Sequence, residues 1–235
     1  MTRFWAVVPA AGVGRRMRHS LPKQYLPLHG RCVIEHTLET LVNHPRISGL
    51  VVAIGVEDSY WQDTAFAGHP RVQTVPGGPE RADSVRNGLE HLAASAGDTD
   101  WVLVHDAARP CLLPEDVDRL MDQLQADPVG GVLGQRVRDT MKRTDAGSRV
   151  TATVERSGLW HAFTPQMFRL GLLRRALDTA ARDGVAVTDE ASAVEHLGMQ
   201  PQMVEGHAGN IKVTQPGDLT LAGFFLQQAR HHERF

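Results

Sequence analysis

Three short runs in this chain are apolar from end to end: residues 5–8 (WAVV), 50–54 (LVVAI) and 101–104 (WVLV). A strand with one solvated face alternates apolar and polar residues. A run without that alternation suits a strand covered on both faces, as in a parallel sheet. Segments of helical spacing lie between the runs. Ile34, Leu38, Leu41 and Val42 share one face of a helix over 33–42, and 82–94 reads as a second helix. Pro114 opens a third, with Glu115 and Asp116 in the first turn, where proline and acidic residues both belong. Residues 72–75 are a candidate for one more strand, followed by a turn at 76–79 (PGGP). Strand and helix thus alternate through roughly the first 135 residues. That order predicts right-handed βαβ crossovers and an α/β, doubly wound, mostly parallel sheet. Ligands bind such sheets beyond the carboxyl ends of the strands. The loops 10–16, 76–81 and 105–110 should therefore converge on one crevice.

The pattern changes at 136–157. Val137, Asp139 and Met141 alternate with Arg138, Thr140 and Lys142; Val150, Ala152 and Val154 alternate with Thr151, Thr153 and Glu155. Asp145-Ala146-Gly147 between them is a turn signal, so a β-hairpin is expected, its apolar side formed by Val137, Met141, Val150, Ala152 and Val154. Beyond it a helix is expected near 169–182, a short helix from Asp189, a strand around 202–205, and a closing helix from about 217. No repeat or linker divides the chain, so residues 1–235 are read as one domain carrying an arm at about 136–157.

The formal net charge is -2 and no basic stripe stands out, which argues against a nucleic-acid partner. Cys32 and Cys111 form no CxxC pair, so neither a zinc ribbon nor a dithiol centre is indicated; two buried thiols in a reducing cytosol is the plainer reading. The apolar stretch at the N-terminus is too short for a signal segment or a membrane span. A cytoplasmic protein without membrane contact is expected.

Several stretches can carry chemistry. Pro9-Ala10-Ala11-Gly12-Val13-Gly14-Arg15-Arg16-Met17 can wrap phosphates with backbone N–H groups and neutralise them with arginine. No Gly-Lys-Ser/Thr follows, so it is not a P-loop, and the third glycine of a dinucleotide fingerprint is missing. The competing reading is a tight turn with solvated arginines. Lys23 can aim a further cation at the same place, or be an ordinary surface lysine. Asp106 follows an apolar strand, where a magnesium ion meets nucleotide phosphates; the alternative is a loop aspartate paired with Arg109. His105 is read as structural. Gly78 and Ser84 lie on a strand-to-helix loop where backbone groups can meet a base edge, although Asp83 and Ser84 also suit a helix start. Thr188 and Asp189 read locally as an N-cap. Local pattern does not separate Arg156, Thr164 and Lys212 from structural residues.

Taken in order, P-A-A-G-x-G-R-R-M, P-K-Q-Y, G-G-x-E-R-x-x-S-V, V-L-V-H-D-A-A-R-P, V-R-D-T-M-K, G-L-W-x-A-x-T-P-Q, T-D-E-A-S and N-I-K-V-T resemble the 2-C-methyl-D-erythritol 4-phosphate cytidylyltransferases of the non-mevalonate isoprenoid pathway. The resemblance implies a Rossmann-like nucleotidyltransferase fold with a protruding β-hairpin dimerisation arm. It implies that Ala10, Ala11, Gly12, Gly78 and Ser84 hold the cytidine of CTP, that Arg16 and Lys23 stabilise the transition state, and that Asp106 serves Mg2+ or another divalent cation. It places Arg109, Thr140, Arg156, Thr164, Thr188 and Lys212 around the methylerythritol phosphate. It further implies a homodimer in which Arg109 and Thr140 reach the partner's site. Two positions depart from the pattern: Pro79 removes a backbone N–H next to Gly78, and Gly209 stands where an acidic residue is common. The rival readings are a ribitol-5-phosphate cytidylyltransferase, a sugar-nucleotide or molybdopterin nucleotidyltransferase, and a nucleotide-sensing module without turnover. Arg138-Asp139-Thr140-Met141-Lys142 favours the methylerythritol enzyme over the ribitol one, and the broken fingerprint disfavours an oxidoreductase.

Overall fold

The computed structural model describes residues 2–12 and 21–232, with side chains as far as residue 229. In chain order its elements are β1 (Phe4–Pro9), β2 (Pro27–Leu28), β3 (Arg31–Cys32), α1 (Val33–Asn43), β4 (Ile47–Ile54), β5 (Val72–Pro76), α2 (Arg81–Leu92), β6 (Trp101–Val104) and α3 (Pro114–Leu124). There follow β7 (Gly130–Arg136), β8 (Met141–Thr144), β9 (Val150–Val154), β10 (Trp160–Arg169), α4 (Leu170–Arg182), α5 (Glu190–His196), β11 (Gln202–Glu205) and α6 (Pro216–His232).

The apolar runs occupy the middle of a seven-stranded sheet ordered β11-β7-β10-β6-β1-β4-β5. Alternate residues of each run serve opposite faces. Ala6 and Val8 of β1, Val52 of β4 and Leu103 of β6 pack with Ile34, Leu38 and Leu41 of α1 and with Leu120, Met121 and Leu124 of α3. Val7, Val51, Val102 and Val104 point the other way, into α2, α4 and α5 through Val85, Leu89, Leu173, Leu177 and Val194. Both faces are dry, so no position in these strands had a reason to be polar. β1 pairs in parallel with β4 and with β6, and β4 with β5; β10 alone runs antiparallel to both its neighbours, β6 and β7. The sheet is thus doubly wound, and winding reverses where β1 meets β6. No helix among the described residues is long and apolar enough to cross a membrane.

Two strands of the large sheet, β7 and β10, have no counterpart in the sequence reading, and neither do the two-residue strands β2 and β3. β7 (GGVLGQR) carries three glycines, which count against a strand. β10 contains Thr164-Pro165, which reads as a loop. Its pairing with β7 shifts register between Ala162 and Gln166, so Pro165 falls at an irregularity, where a missing N–H is tolerated. The hairpin grows from this ladder. Arg136 at the end of β7 pairs with Trp160 at the start of β10, and β8 and β9 form a separate two-stranded sheet beyond them. Met141 pairs with Val154 and Arg143 with Ala152, but the register shifts beyond Arg143 and places Val150 opposite Thr144. The single apolar face expected for the arm is therefore interrupted near its tip.

α2 lies tight against β1 because Gly88 has no side chain; a Cβ built there would stand 2.7 Å from Val7 Cγ1. Gly88→Ala should therefore destabilise the protein by about 1–2 kcal/mol in urea unfolding, the overpacking outweighing the gain in helix propensity. A stabilised variant would show that α2 can shift outward at no cost.

Candidate active site

β1 and β6 lie side by side at the reversal, and His105 N–H donates to the Val7 carbonyl at 2.9 Å, so the loops that follow the two strands emerge together. With the loop after β5 they enclose a cavity of about 170 Å³, lined by Ala10, Ala11, Gly12, Lys23, Gly78, Ser84, Asp106 and Lys212 among others. A larger groove of about 1250 Å³ between α1, α3 and α6 contains none of the residues expected to act. Eight of the residues expected to act line the smaller one.

Asp106 is the centre of the charge. Arg81 Nε donates to Asp106 Oδ1 at 2.8 Å, and Lys212 Nζ lies 2.7 Å from Oδ2. Arg109 Nε lies 3.7 Å from the same Oδ2, and this buried nitrogen has no hydrogen-bond partner among the described residues. Burial alone would raise the Asp106 carboxyl, but the charges of Arg81 and Lys212 overcome it and hold the group well below the usual carboxylate range. Arg81 is gripped in turn by Glu190, which accepts from Nη1 at 2.6 Å and Nη2 at 3.1 Å. Neither Arg81 nor Glu190 was singled out from sequence. Their signal was present in G-G-x-E-R and T-D-E-A-S, but nothing local shows that residues 109 positions apart share a bond.

His105 is fully buried beneath Asp106. Its Nε2 faces the Arg109 carbonyl at 3.2 Å, and its Nδ1 faces Thr164 Oγ1 at 3.0 Å. A carbonyl only accepts, so Nε2 carries the proton, and Nδ1 accepts from the Thr164 hydroxyl. The Thr164 oxygen accepts in turn from the Asp106 N–H at 3.1 Å. The one proton of Thr164 is thus spent inside the protein. Thr164, expected beside the substrate, is buried and sets the backbone of Asp106. Arg109, expected to reach a neighbouring subunit, is turned into its own chain: Nη1 donates to the Asn210 carbonyl at 2.7 Å and the guanidinium covers the Phe163 ring.

The wall of the cavity formed by the loops after β1 and β5 is pre-built. Gln24 Nε2 donates to the Ala10 carbonyl at 2.6 Å, a contact the sequence reading missed. Ser84, almost wholly buried, accepts from the Gly78 N–H at 3.1 Å and donates to the Glu80 carbonyl at 3.2 Å. That Gly78 N–H, proposed for a base edge, is therefore already used, and Ser84 acts as a strut for the loop. Asp83 accepts from the Glu80 N–H within a capping box, which bears out the helix-start reading of this segment. Lys23 Nζ donates to the Val213 carbonyl at 3.1 Å, beside Lys212. Asp189 caps α5, accepting from Ser192 N–H at 3.0 Å, and Thr188 is exposed just before it. A Cβ at Gly209 would meet the His207 ring at 2.7 Å, so that position faces His207 and Phe225. Thr140 and Arg156 sit on the exposed arm, where Arg156 donates to the Arg138 carbonyl. Arg16 lies outside the described residues.

Residues 4–228 match the family model described as 2-C-methyl-D-erythritol 4-phosphate cytidylyltransferase. The chain belongs to this family. It is 58% identical over 229 residues to the 2-C-methyl-D-erythritol 4-phosphate cytidylyltransferase of Ectopseudomonas mendocina (strain ymp), covering 97% of this chain and 96% of the relative. Identity to the enzyme of that name from Vibrio vulnificus (strain YJ016) is 52%, covering 98% and 97%. A crystal structure of 4-diphosphocytidyl-2C-methyl-D-erythritol synthase superposes with a TM-score of 0.83 at 41% identity, covering 96% of this chain and all of the other. The Francisella tularensis 2-C-methyl-D-erythritol 4-phosphate cytidylyltransferase gives 0.83 at 34% identity, covering 95% and 100%. The α/β nucleotidyltransferase fold is shared with these structures.

The site makes a prediction in pH. Burial pushes the His105 imidazole down to about 4 from its ordinary 6.5. Below pH 6.5 the unfolded chain binds a proton that the folded chain refuses, so stability from this group is full above 6.5 and is lost as pH falls toward 4. The loss should approach about 3 kcal/mol in unfolding free energy. In an NMR pH titration His105 should remain neutral at pH 5.5; an imidazole titrating at its ordinary value would contradict the tautomer argument above.

Proposed function

We infer that the chain transfers CMP from CTP to 2-C-methyl-D-erythritol 4-phosphate, giving 4-diphosphocytidyl-2-C-methyl-D-erythritol and pyrophosphate. The observation that carries the reading, beside family membership, is Asp106 held ionised on the wall of a cavity between Lys212 and Arg81, where the loops after β1, β5 and β6 meet. The phosphate monoester of the acceptor has a second pKa near ~6, so it attacks the α-phosphorus as a dianion and needs no general base. His105, neutral and enclosed, fits that absence. What the protein must supply is placement and positive charge for the α-phosphoryl oxygens and the departing pyrophosphate. Ala10, Ala11, Gly12 and Gly78 shape the nucleotide side, with Ser84 fixing the loop. Lys23 and Arg16 stabilise the transition state. Lys212 and Arg109, with Thr188, take the acceptor phosphate and polyol.

Asp106 also fits a divalent cation. It is an ionised, hard oxygen donor on the cavity wall. The described residues form no cluster of three His, Cys, Asp or Glu side chains, which suits magnesium held by one carboxylate and substrate phosphates. Bound there, the ion would neutralise charge on the triphosphate. Gly209 contributes no second carboxylate.

The arm points to a homodimer. Met141, Val150 and Leu159 are 37%, 61% and 36% exposed, and a lone two-stranded hairpin is marginal in water. A second copy covering each arm would bring Thr140 and Arg156 to the neighbour's acceptor site. A cytoplasmic location accords with the free thiols of Cys32 and Cys111.

In a pyrophosphate-release assay with CTP, kcat/KM should be higher for methylerythritol phosphate than for ribitol 5-phosphate; the reverse order would reassign the acceptor and leave the fold untouched. The composite site has its own test. Thr140→Ala and Lys212→Ala should each abolish most activity, and mixing them under subunit exchange should recover part of it. No recovery despite proven exchange, or a monomer in sedimentation, would sink the shared site.

A further inference from the structure

Arg81 stands at the first position of α2, where a cation opposes the helix dipole. Helix stability does not explain it. Its partners do. The fork of Nη1 and Nη2 is bound by Glu190, whose side chain is 1% exposed, and only Nε is turned to Asp106 Oδ1. Lys212 meets Asp106 quite differently. It offers a single ammonium on a flexible stem, 34% exposed, to Oδ2. The two oxygens of Asp106 are therefore unequal: Oδ1 has a partner anchored on its far side, and Oδ2 has one that can leave.

We propose that Arg81, locked by Glu190, is a positioning residue that fixes the Asp106 carboxylate through Oδ1 and keeps Oδ2 as its exchangeable oxygen. The inference rests on the function proposed above and deepens it. Three cations, Arg81, Arg109 and Lys212, crowd a site that must receive a triphosphate and a phosphate monoester. Without Glu190, Arg81 would turn its fork to the strongest anion available, and that is the incoming triphosphate. Asp106 would then lose its fixed partner at the moment Lys212 also transfers to a phosphate. Glu190 withholds Arg81 from the phosphates, so Asp106 meets magnesium in one orientation. The lysine is released to the substrate while the arginine stays.

The test compares the wild type with Glu190→Gln, Arg81→Lys, Asp106→Asn and the double variant Glu190→Gln/Asp106→Asn. Glu190→Gln and Arg81→Lys should each lower kcat about 10–100-fold and raise the magnesium concentration for half-maximal rate, with KM for methylerythritol phosphate unchanged. Calorimetric affinity for CTP should fall in the presence of magnesium and stay constant in its absence. In the Asp106→Asn background, Glu190→Gln should change neither readout further, because the effect runs through Asp106. Equal losses in both backgrounds, or an unchanged magnesium dependence, would overturn the proposal. If Glu190→Gln does not fold, Arg81→Lys with and without Asp106→Asn makes the same comparison. A wild type that binds CTP but does not turn over methylerythritol phosphate defeats the proposed function, and the calorimetric arm still decides the role of Arg81.

Discussion

A carboxylate enclosed at the end of a buried strand must be neutralised where it stands, because the cost of desolvating an unpaired charge exceeds what local packing can return. Asp106 meets that condition with three cations drawn from separate parts of the chain: Arg81 from α2, Arg109 from its own loop and Lys212 from the segment before α6. Glu190 from α5 completes the group. Three positive charges stand against two negative ones, so the cluster keeps an excess of one and presents it to the cavity. An excess of this sign at a concave site concentrates anions. The interaction that holds the loops together therefore also prepares the site for phosphate.

The topology makes that convergence possible. Winding reverses between β1 and β6, and the loops leaving these strands emerge side by side at the carboxyl ends, where with the loop after β5 they enclose a crevice. β10 then enters antiparallel beside β6 and carries Thr164 to the base of Asp106. His105 locks the arrangement from below, joining the Thr164 hydroxyl to the Arg109 carbonyl. Residues assigned to the substrate by motif alone thus divide into two sets. Lys23 and Lys212 line the cavity with their charged ends, while Ser84, also on its wall, and the buried Thr164 hold the loops that form it.

The arm obeys a different logic. Its residues make few contacts with the body, and its apolar side chains remain open to solvent. Such a segment makes sense when something outside the chain covers it. Thr140 and Arg156 sit on this exposed arm, and in the function proposed above they reach an acceptor site through a second copy.

Much of this was legible in the residues. The unbroken apolar runs determined the central strands, because a strand covered on both faces has no place for a polar side chain. Helical spacing, Pro114 and Asp189 located the helices and their starts, since these signals act within a few residues. The ordered motifs identified the family. The sequence could not supply β7 and β10, whose glycines and Thr164-Pro165 suit a strand only when a neighbour's backbone approaches closely. Nor could it show that Arg81 bridges Glu190 and Asp106, that Thr164 spends its proton on His105, or that Arg109 turns inward. Each of these is a contact between residues remote in the chain. Local pattern determines where a residue can sit, and only the folded sheet determines which charge it meets.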